Sequence, residues 1–429
     1  MAKGKRVRGR HALQECRPES LVSTFGYSPQ LSEGALVPPI FLSSTFVFRT
    51  AEDGERAFRA AYHLKGPKPR TPSLIYTRLN NPNLEILEDR LVLFEPGAER
   101  CAVFSSGMAA ITTSILSLLE KGGVVTYSTP VYGGTDFLFN HFLPKFGIRT
   151  VPFRAGSDAA QILALLEREV GPAGGDAMIF LETPANPTCV LTDIGAARSA
   201  IDRFSRGRKH TVYLGVDNTF LGPMWQHPAQ LGADLVIYSA TKFIGGHSDV
   251  LAGAVLGSRK IIEDRIKVGR TIFGTIPSPF DGYLLLRSLD TLQMRMTAQL
   301  KSAESVARWL SRQDEVAEVL YPGLLPKGTL QRKIYDRQCL QPGSMISFYL
   351  KGGKPAAFRF LNHLRLAKLA VSLGSTTTLA EHPASMTHSD LDPTERNELG
   401  IDDRMVRLSI GTEHCLDIIA DLKQALRQT

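Results

Sequence analysis

Short apolar runs recur through the middle of the chain, and each stops at a cluster of polar residues. They stand in "RCAVFSSGMAA", "VVTYSTPVYGGT", "AMIFLETPANP", "TVYLGVDNTF" and "DLVIYSATK". Stretches with helical spacing separate them, so the pattern predicts strands alternating with helices and a parallel sheet covered on both faces. In such sheets ligands gather at the carboxyl ends of the strands, where every one of these polar clusters falls. "NPNLEILEDRLVLFE" carries apolar residues at helical spacing, with Asn80 or Asn81 as cap and Pro82 in the first turn. The helix opened by "SSGMAA" is expected to run to Gly122.

The flanks read differently. Residues 1–78 lack sustained periodicity and are rich in Pro, Ser and Thr, which predicts an extended arm with one short helix near 52–61. Residues 79–288 hold the alternating pattern of a large α/β domain. From 289 a long helix, "SLDTLQMRMTAQLKSAESVARWLSRQ", opens a smaller α+β domain over 289–429. No internal repeat is visible.

Composition narrows the classes. Hydrophobic residues at 43% and charged residues at 21% are ordinary for a soluble globular chain. No stretch reaches the roughly 18 to 20 apolar residues of a membrane span, and the basic N-terminus has no apolar segment after it that would make a secretory signal. The net charge of +8 owes much to five basic side chains in the first ten residues, so nucleic acid is not an expected partner. Five cysteines without a CxxC pair predict a reducing, cytoplasmic setting with neither disulfides nor zinc. His382 and His388 lack further ligands nearby, and His247 reads as a structural hydrogen-bonding residue.

Three strand ends carry the chemistry. "SSGMAA" opens a helix with small residues, so free N–H groups and the helix dipole suit a phosphate. "VDNTF" ends a strand in Asp217, which alone suits a helix cap or ion pair as well. "YSATK" ends the next strand in Ser239, Thr241 and Lys242. A lysine desolvated in a pocket can form a Schiff base. A carboxylate facing a pyridine nitrogen keeps it protonated and makes the ring an electron sink. Together the three functions describe pyridoxal 5′-phosphate.

From about residue 19 to 427 the chain resembles the Cys/Met-metabolism group of fold-type I pyridoxal-phosphate enzymes. The motifs are "YTRLNNPN", "SSGMAA", "VYGGT", "ETPANPT", "VDNTF", "YSATKFIGGHSD", "GTIPSPFDGYLLLRSLDTLQMRM", "VSLGSTTTLAEHPASMTHSD" and "VRLSIGTE". The resemblance implies that fold, with a mostly parallel sheet flanked by helices and a smaller C-terminal domain. It implies that Lys242 binds the cofactor covalently and shuttles protons, while Asp217 faces the ring nitrogen. Ser106, Gly107, Met108, Thr219, Ser239 and Thr241 would hold the cofactor's phosphate end and ring. Tyr132 would stack on the ring and assist the leaving group, and Asn186 would reach the 3′-oxygen. Arg407 and Ser372 would clamp the substrate carboxylate. Tyr76 and Arg78 would reach the partner subunit's phosphate, within a homotetramer built from two such dimers.

The reaction implied is γ-elimination from a sulfur-containing or otherwise γ-substituted amino acid, giving a 2-oxo acid and ammonia; the alternative is γ-replacement by a thiol. The second-layer signals are mixed. Gly134 stands where methionine γ-lyases tend to carry cysteine, and Thr377 where γ-lyases tend to carry an acid. The segment "KGPKPRTPSL" is longer than the family norm and is expected to reshape substrate choice.

Overall fold

The computed structural model describes residues 16–62, 64, 73–171 and 175–429. The basic N-terminal tail and most of the "KGPKPRTPSL" segment lie outside them. The alternating pattern folds into a seven-stranded sheet: β1 Arg100–Phe104, β2 Val124–Thr129, β3 Arg149–Arg154, β4 Ala177–Glu182, β5 Val212–Asp217, β6 Leu235–Tyr238 and β7 Gly253–Gly257. Their order is β1-β7-β6-β5-β4-β2-β3. β2 to β6 pair in parallel, whereas β7 runs antiparallel to both β6 and β1.

Both faces of the sheet are covered, as the continuous apolar runs require. Along β4, Met178 and Phe180 join the cluster with Ile111 and Ile115 of the helix Gly107–Leu118. Ile179 and Leu181 turn to the other face, against Ile194, Ala197 and Ile201 of the helix Ile194–Phe204. The two-residue period of a strand thus feeds two separate cores. Emptying one such position, for example Phe180→Ala, costs about 3–5 kcal/mol by cavity formation.

A second sheet follows: β8 Val316–Leu320, β9 Met345–Leu350, β10 Lys368–Leu369, β11 Leu379–Glu381 and β12 Met405–Ser409, in the order β10-β11-β12-β9-β8. It packs against the helices Leu292–Leu310, Gly353–Asn362 and Cys415–Leu426 through Val306, Phe348, Phe360, Val406 and Leu422.

The predicted helices stand with adjusted ends. Asn81 caps Pro82–Val92, its side chain accepting from Asn83 N, and the arm's helix spans Ala51–Ala61. The helix expected to run to Gly122 stops at Leu118, because Leu119 is already extended and Gly122 turns the chain at φ +91°. The long helix begins at Leu292 rather than Ser288; Ser288 and Leu289 close the preceding helix, Pro279–Leu289. The arm leaves large apolar side chains on the surface, with Val47 95%, Leu31 85% and Leu36 83% exposed. No helix among the described residues is long and apolar enough to cross a membrane.

Candidate active site

Parallel strands bring their carboxyl ends to one edge, and register sets which residues meet there. Glu182 ends β4 directly opposite Asp217 at the end of β5. Beyond β5, Thr219 N donates to Asp217 Oδ1 (2.9 Å). The Thr219 hydroxyl then accepts from Ser239 N beyond β6 (2.8 Å). The Asp217 carboxyl is buried, and burial holds its pKa above the usual carboxylate value.

The end of β1, separated from β6 by β7, leads into a cradle suited to phosphate. Ser106 caps the helix Gly107–Leu118: its Oγ accepts from Ala109 N (3.0 Å) and its carbonyl from Ala110 N (3.0 Å). The first-turn N–H groups of Gly107 and Met108 precede any intrahelical acceptor. A β-carbon at Gly107 would lie 2.8 Å from Ser239 Cβ, so glycine lets the helix start approach the β6 end. Thr241 differs from Ser239, for its hydroxyl is engaged with Ala252 on both sides, accepting from N (2.9 Å) and donating to O (3.2 Å).

Lys242 follows in a turn after β6. Its Nζ donates to Ser372 Oγ (2.7 Å). Burial, then the nearby Arg407 guanidinium, lowers its pKa to about 8, against a smaller opposing pull from Glu381. Ser372 adopts φ +86°, a conformation that costs energy for a non-glycine residue and marks a constrained position.

Arg407, on β12 and only 3% exposed, converges on the same residue. Its Nη2 donates to Ser372 O (2.7 Å) and its Nη1 to Asn186 Oδ1 (2.7 Å). Glu381 stands opposite on β11, with Oε1 2.9 Å from Arg407 Nη1. Thr387 Oγ1 also donates to Glu381 Oε1 (2.8 Å). Arg407 Nε and Glu381 Oε2 are buried without a partner, an arrangement that is costly for charged groups and is found where a ligand completes the set.

Tyr132 precedes the short helix Gly133–Phe137 as its N-cap residue and is 43% exposed. Its N–H donates to Glu182 Oε2 (2.8 Å), while Asn186 N donates to Glu182 Oε1 (2.8 Å). Burial, then repulsion from Asp217, raises the Glu182 pKa to about 8. A β-carbon at Gly134 would stand 2.7 Å from Tyr132 Cε1, so this ring rests where only glycine leaves room.

Tyr76 and Arg78 stand elsewhere on the chain. Arg78 Nη1 donates to Thr271 O (2.8 Å), its guanidinium lies 5.8 Å from the Tyr76 ring centre, and both side chains are exposed. Thr377 N bonds Ser375 Oγ (3.3 Å). His247 Nδ1 bonds Gly245 O (2.7 Å), and His382 bonds Ser385 Oγ (2.8 Å) and Asp403 O (3.0 Å).

Two carboxylates of the site are not among the residues to which the sequence motifs point, although both lie within those motifs. Glu182 is the acid of "ETPANPT" and Glu381 that of "AEHPASMTH". Pairing each strand end with its neighbour would have found them: Glu182 opposes Asp217, and Glu381 opposes Arg407.

The residues present suit pyridoxal phosphate. A buried carboxyl stands at one strand end, a desolvated lysine follows the next, and a glycine-opened helix start lies against Ser239 at that second strand end. A cavity of about 960 Å³ lined by Arg198, Arg208 and Thr211 opens instead at the amino end of β5 and does not involve this set.

Residues 20–427 match the model of the Cys/Met metabolism PLP-dependent enzyme family. The chain is 41% identical over 407 residues to an L-methionine gamma-lyase of Pseudomonas putida, covering 94% of this chain and 95% of the other. It is 37% identical to a cystathionine gamma-lyase of Rattus norvegicus, over 93% and 92% of the two chains. A solved structure of cystathionine gamma synthase from Xanthomonas oryzae pv. oryzae in complex with cystathionine superposes with a TM-score of 0.84 at 32% identity. It covers 96% of this chain and 98% of that one.

Proposed function

Because the chain belongs to the Cys/Met metabolism family of PLP-dependent enzymes, we propose that it catalyses γ-elimination from a γ-substituted α-amino acid of the methionine type. Water is consumed, and a 2-oxo acid, ammonia and a thiol are released. The observation that carries this reading is the meeting of Lys242 Nζ and Arg407 Nη2 on the single residue Ser372, each at 2.7 Å. An amino acid whose carboxylate lies on that guanidinium has its Cα within reach of the lysine amine.

Pyridoxal phosphate, when bound, supplies the aldehyde that condenses with amines and the ring that withdraws electrons from Cα. The protein's own residues do the rest. Gly107 and Met108 N–H groups, with Ser106 and Ser239, would hold the phosphate end at a helix start, and Thr241 would join them by turning its hydroxyl hydrogen from Ala252 O to the phosphate. Asp217, steadied by Thr219 N, would face the ring nitrogen and keep it protonated, and Asn186 would reach the ring's 3′-oxygen. Arg407 orients the substrate through a planar fork suited to carboxylate, with Ser372 beside it. Lys242, poised near neutrality, takes the Cα proton and moves it along one face of the substrate; such help is typically worth ~10²–10⁴-fold. Tyr132, half open to solvent and backed by Glu182 through its N–H, delivers a proton to the departing sulfur.

The exposed arm side chains, Leu31, Leu36 and Val47, are an apolar surface that a second copy of the chain would cover. We place Tyr76 and Arg78 at the partner's phosphate in such a dimer, and two dimers in a tetramer. Five unpaired cysteines suit the cytoplasm.

γ-Replacement by a thiol is the second reading, favoured by the likeness to the cystathionine gamma synthase structure. Incubation with methionine, cystathionine, homocysteine and O-acetylhomoserine, with and without added thiol, separates the two. Oxo-acid release without thiol supports elimination; products formed only with thiol assign replacement.

A further inference from the structure

The helix Leu292–Leu310 places Arg295 and Gln299, one turn apart, beneath the loops of the site, and both are buried. Arg295 Nη1 donates to Phe243 O (2.8 Å), and Nη2 donates to Ile244 O (3.3 Å) and Ser288 O (2.9 Å); Nε donates to Thr291 Oγ1 (3.2 Å). Among the described residues no carboxylate pairs with it. A guanidinium held 7% exposed on neutral oxygens alone is expensive to bury. A helix that only needed to fill this space would carry leucine or methionine. The charge is therefore kept for what it holds, the two carbonyls directly after Lys242.

The turn itself explains why. Lys242 N bonds Ser239 O (3.0 Å), Gly245 N bonds Ala240 O (2.7 Å) and Gly246 N bonds Lys242 O (2.7 Å), so the chain closes like one helical turn. Phe243 O and Ile244 O have no main-chain donor within it, and Arg295 takes both. A β-carbon at Gly246, which also has φ +73°, would overlap Arg295 Nη1, so glycine and arginine interlock. One turn along the helix, Gln299 Nε2 donates to Ser375 O (2.8 Å), in the loop that carries Ser372. The two loops then join directly through Thr376 N to Gly246 O (2.9 Å).

We propose that Arg295 is the positioning residue of Lys242: it locks the turn after the lysine, and with Gln299 sets that turn against the Ser372 loop from a single helix face. The inference rests on the reading of Lys242 as the group that takes pyridoxal phosphate. A misplacement of about 1 Å can cost on the order of 10²-fold in rate.

The test is covalent attachment rather than turnover. Full-length wild type, Arg295→Met, Arg295→Lys and Gln299→Leu are mixed with pyridoxal phosphate. For each, total bound cofactor and the rate of borohydride-trappable attachment at Lys242 are measured, with melting temperatures alongside. The cradle's main-chain donors, Gly107 and Met108, and its cap Ser106 lie on another element, the start of the helix Gly107–Leu118, so a positioning defect leaves most of total binding in place while attachment slows. Arg295→Met is expected to attach on the order of 10²-fold more slowly. Arg295→Lys, which keeps charge but not the fork, should fall between, and Gln299→Leu should slow attachment to a smaller extent. Attachment at the wild-type rate in folded Arg295→Met overturns the proposal. If that variant does not fold, a wild-type rate in Arg295→Lys overturns it equally. A parallel loss of total binding and attachment would also reject it, by showing general damage. Should wild type itself trap nothing at Lys242, the functional reading fails instead, independently of Arg295.

Discussion

Glu381→Gln probes the proposed carboxylate clamp through the partner that Arg407 has on β11. Glu381 is fully buried, 2.9 Å from Arg407 Nη1, and its other oxygen has no partner. At an effective dielectric of about 20, two unit charges that close attract by roughly 6 kcal/mol, and desolvating both consumes much of that. Losing one partner of a buried pair costs about 3–5 kcal/mol. Glutamine keeps an oxygen for Arg407 Nη1 and Thr387 Oγ1, and Asn186 and Ser372 still accept from the guanidinium. The expected destabilisation of the ligand-free protein is therefore smaller, about 1–3 kcal/mol. The consequence for function has the opposite sign: Arg407, no longer neutralised, should bind a carboxylate more tightly, by about tenfold or about 1.4 kcal/mol. Urea denaturation without ligand measures the first effect. KM for the amino acid, with the gain in melting temperature at saturating substrate, measures the second. A variant as stable as wild type, or one whose KM rises, refutes the reasoning that Glu381 and substrate compete for one charge.

Arg407→Ala should raise KM by the equivalent of about 1.5–3 kcal/mol for lost charged hydrogen bonds; steady-state kinetics with an unaltered KM would remove the clamp from the account. Lys242 has its pKa lowered to about 8, so the free amine appears well below the range of an ordinary lysine. The rate of pyridoxal phosphate attachment should therefore climb with pH through about 8 and level off, whereas a rate still climbing at about pH 10 would mean an unperturbed amine. Glu182, raised to about 8 from an ordinary 4.5, binds its proton more tightly in the folded chain than in the unfolded one. Its stabilisation is thus full below about 4.5 and lost as pH rises through about 8. Glu182→Gln should flatten that loss, by on the order of a few kcal/mol, in urea midpoints of the cofactor-free protein; equal pH slopes in variant and wild type would count against it.

Most of the sheet was legible because β2, β4, β5 and β6 are apolar runs stopped by polar residues, and those stops hold Asp217, Ser239 and Lys242; β3, Arg149–Arg154, has no buried residue and a charge at each end, and carried no such signal. Helix ends were less legible. Nothing in "LSLLEKGG" announces that Leu119 turns extended, since leucine favours a helix and only tertiary context stops it there. Ser372 and Arg407 were reached by resemblance, because their meeting depends on how the second sheet faces the first. Glu381 and Glu182 acquire meaning only from cross-strand register, and Arg295 only from where the helix Leu292–Leu310 begins. Buried charges on neighbouring strands are long-range facts, and a linear pattern does not encode them.

The most direct measurement is to saturate the purified full-length chain with pyridoxal phosphate, reduce it with borohydride and map the modified peptide. The account predicts one pyridoxyl group, on Lys242, in the peptide containing "YSATKFIGGHSDV", lost in Lys242→Ala. A chain that remains unmodified, or carries the group on another lysine, contradicts it.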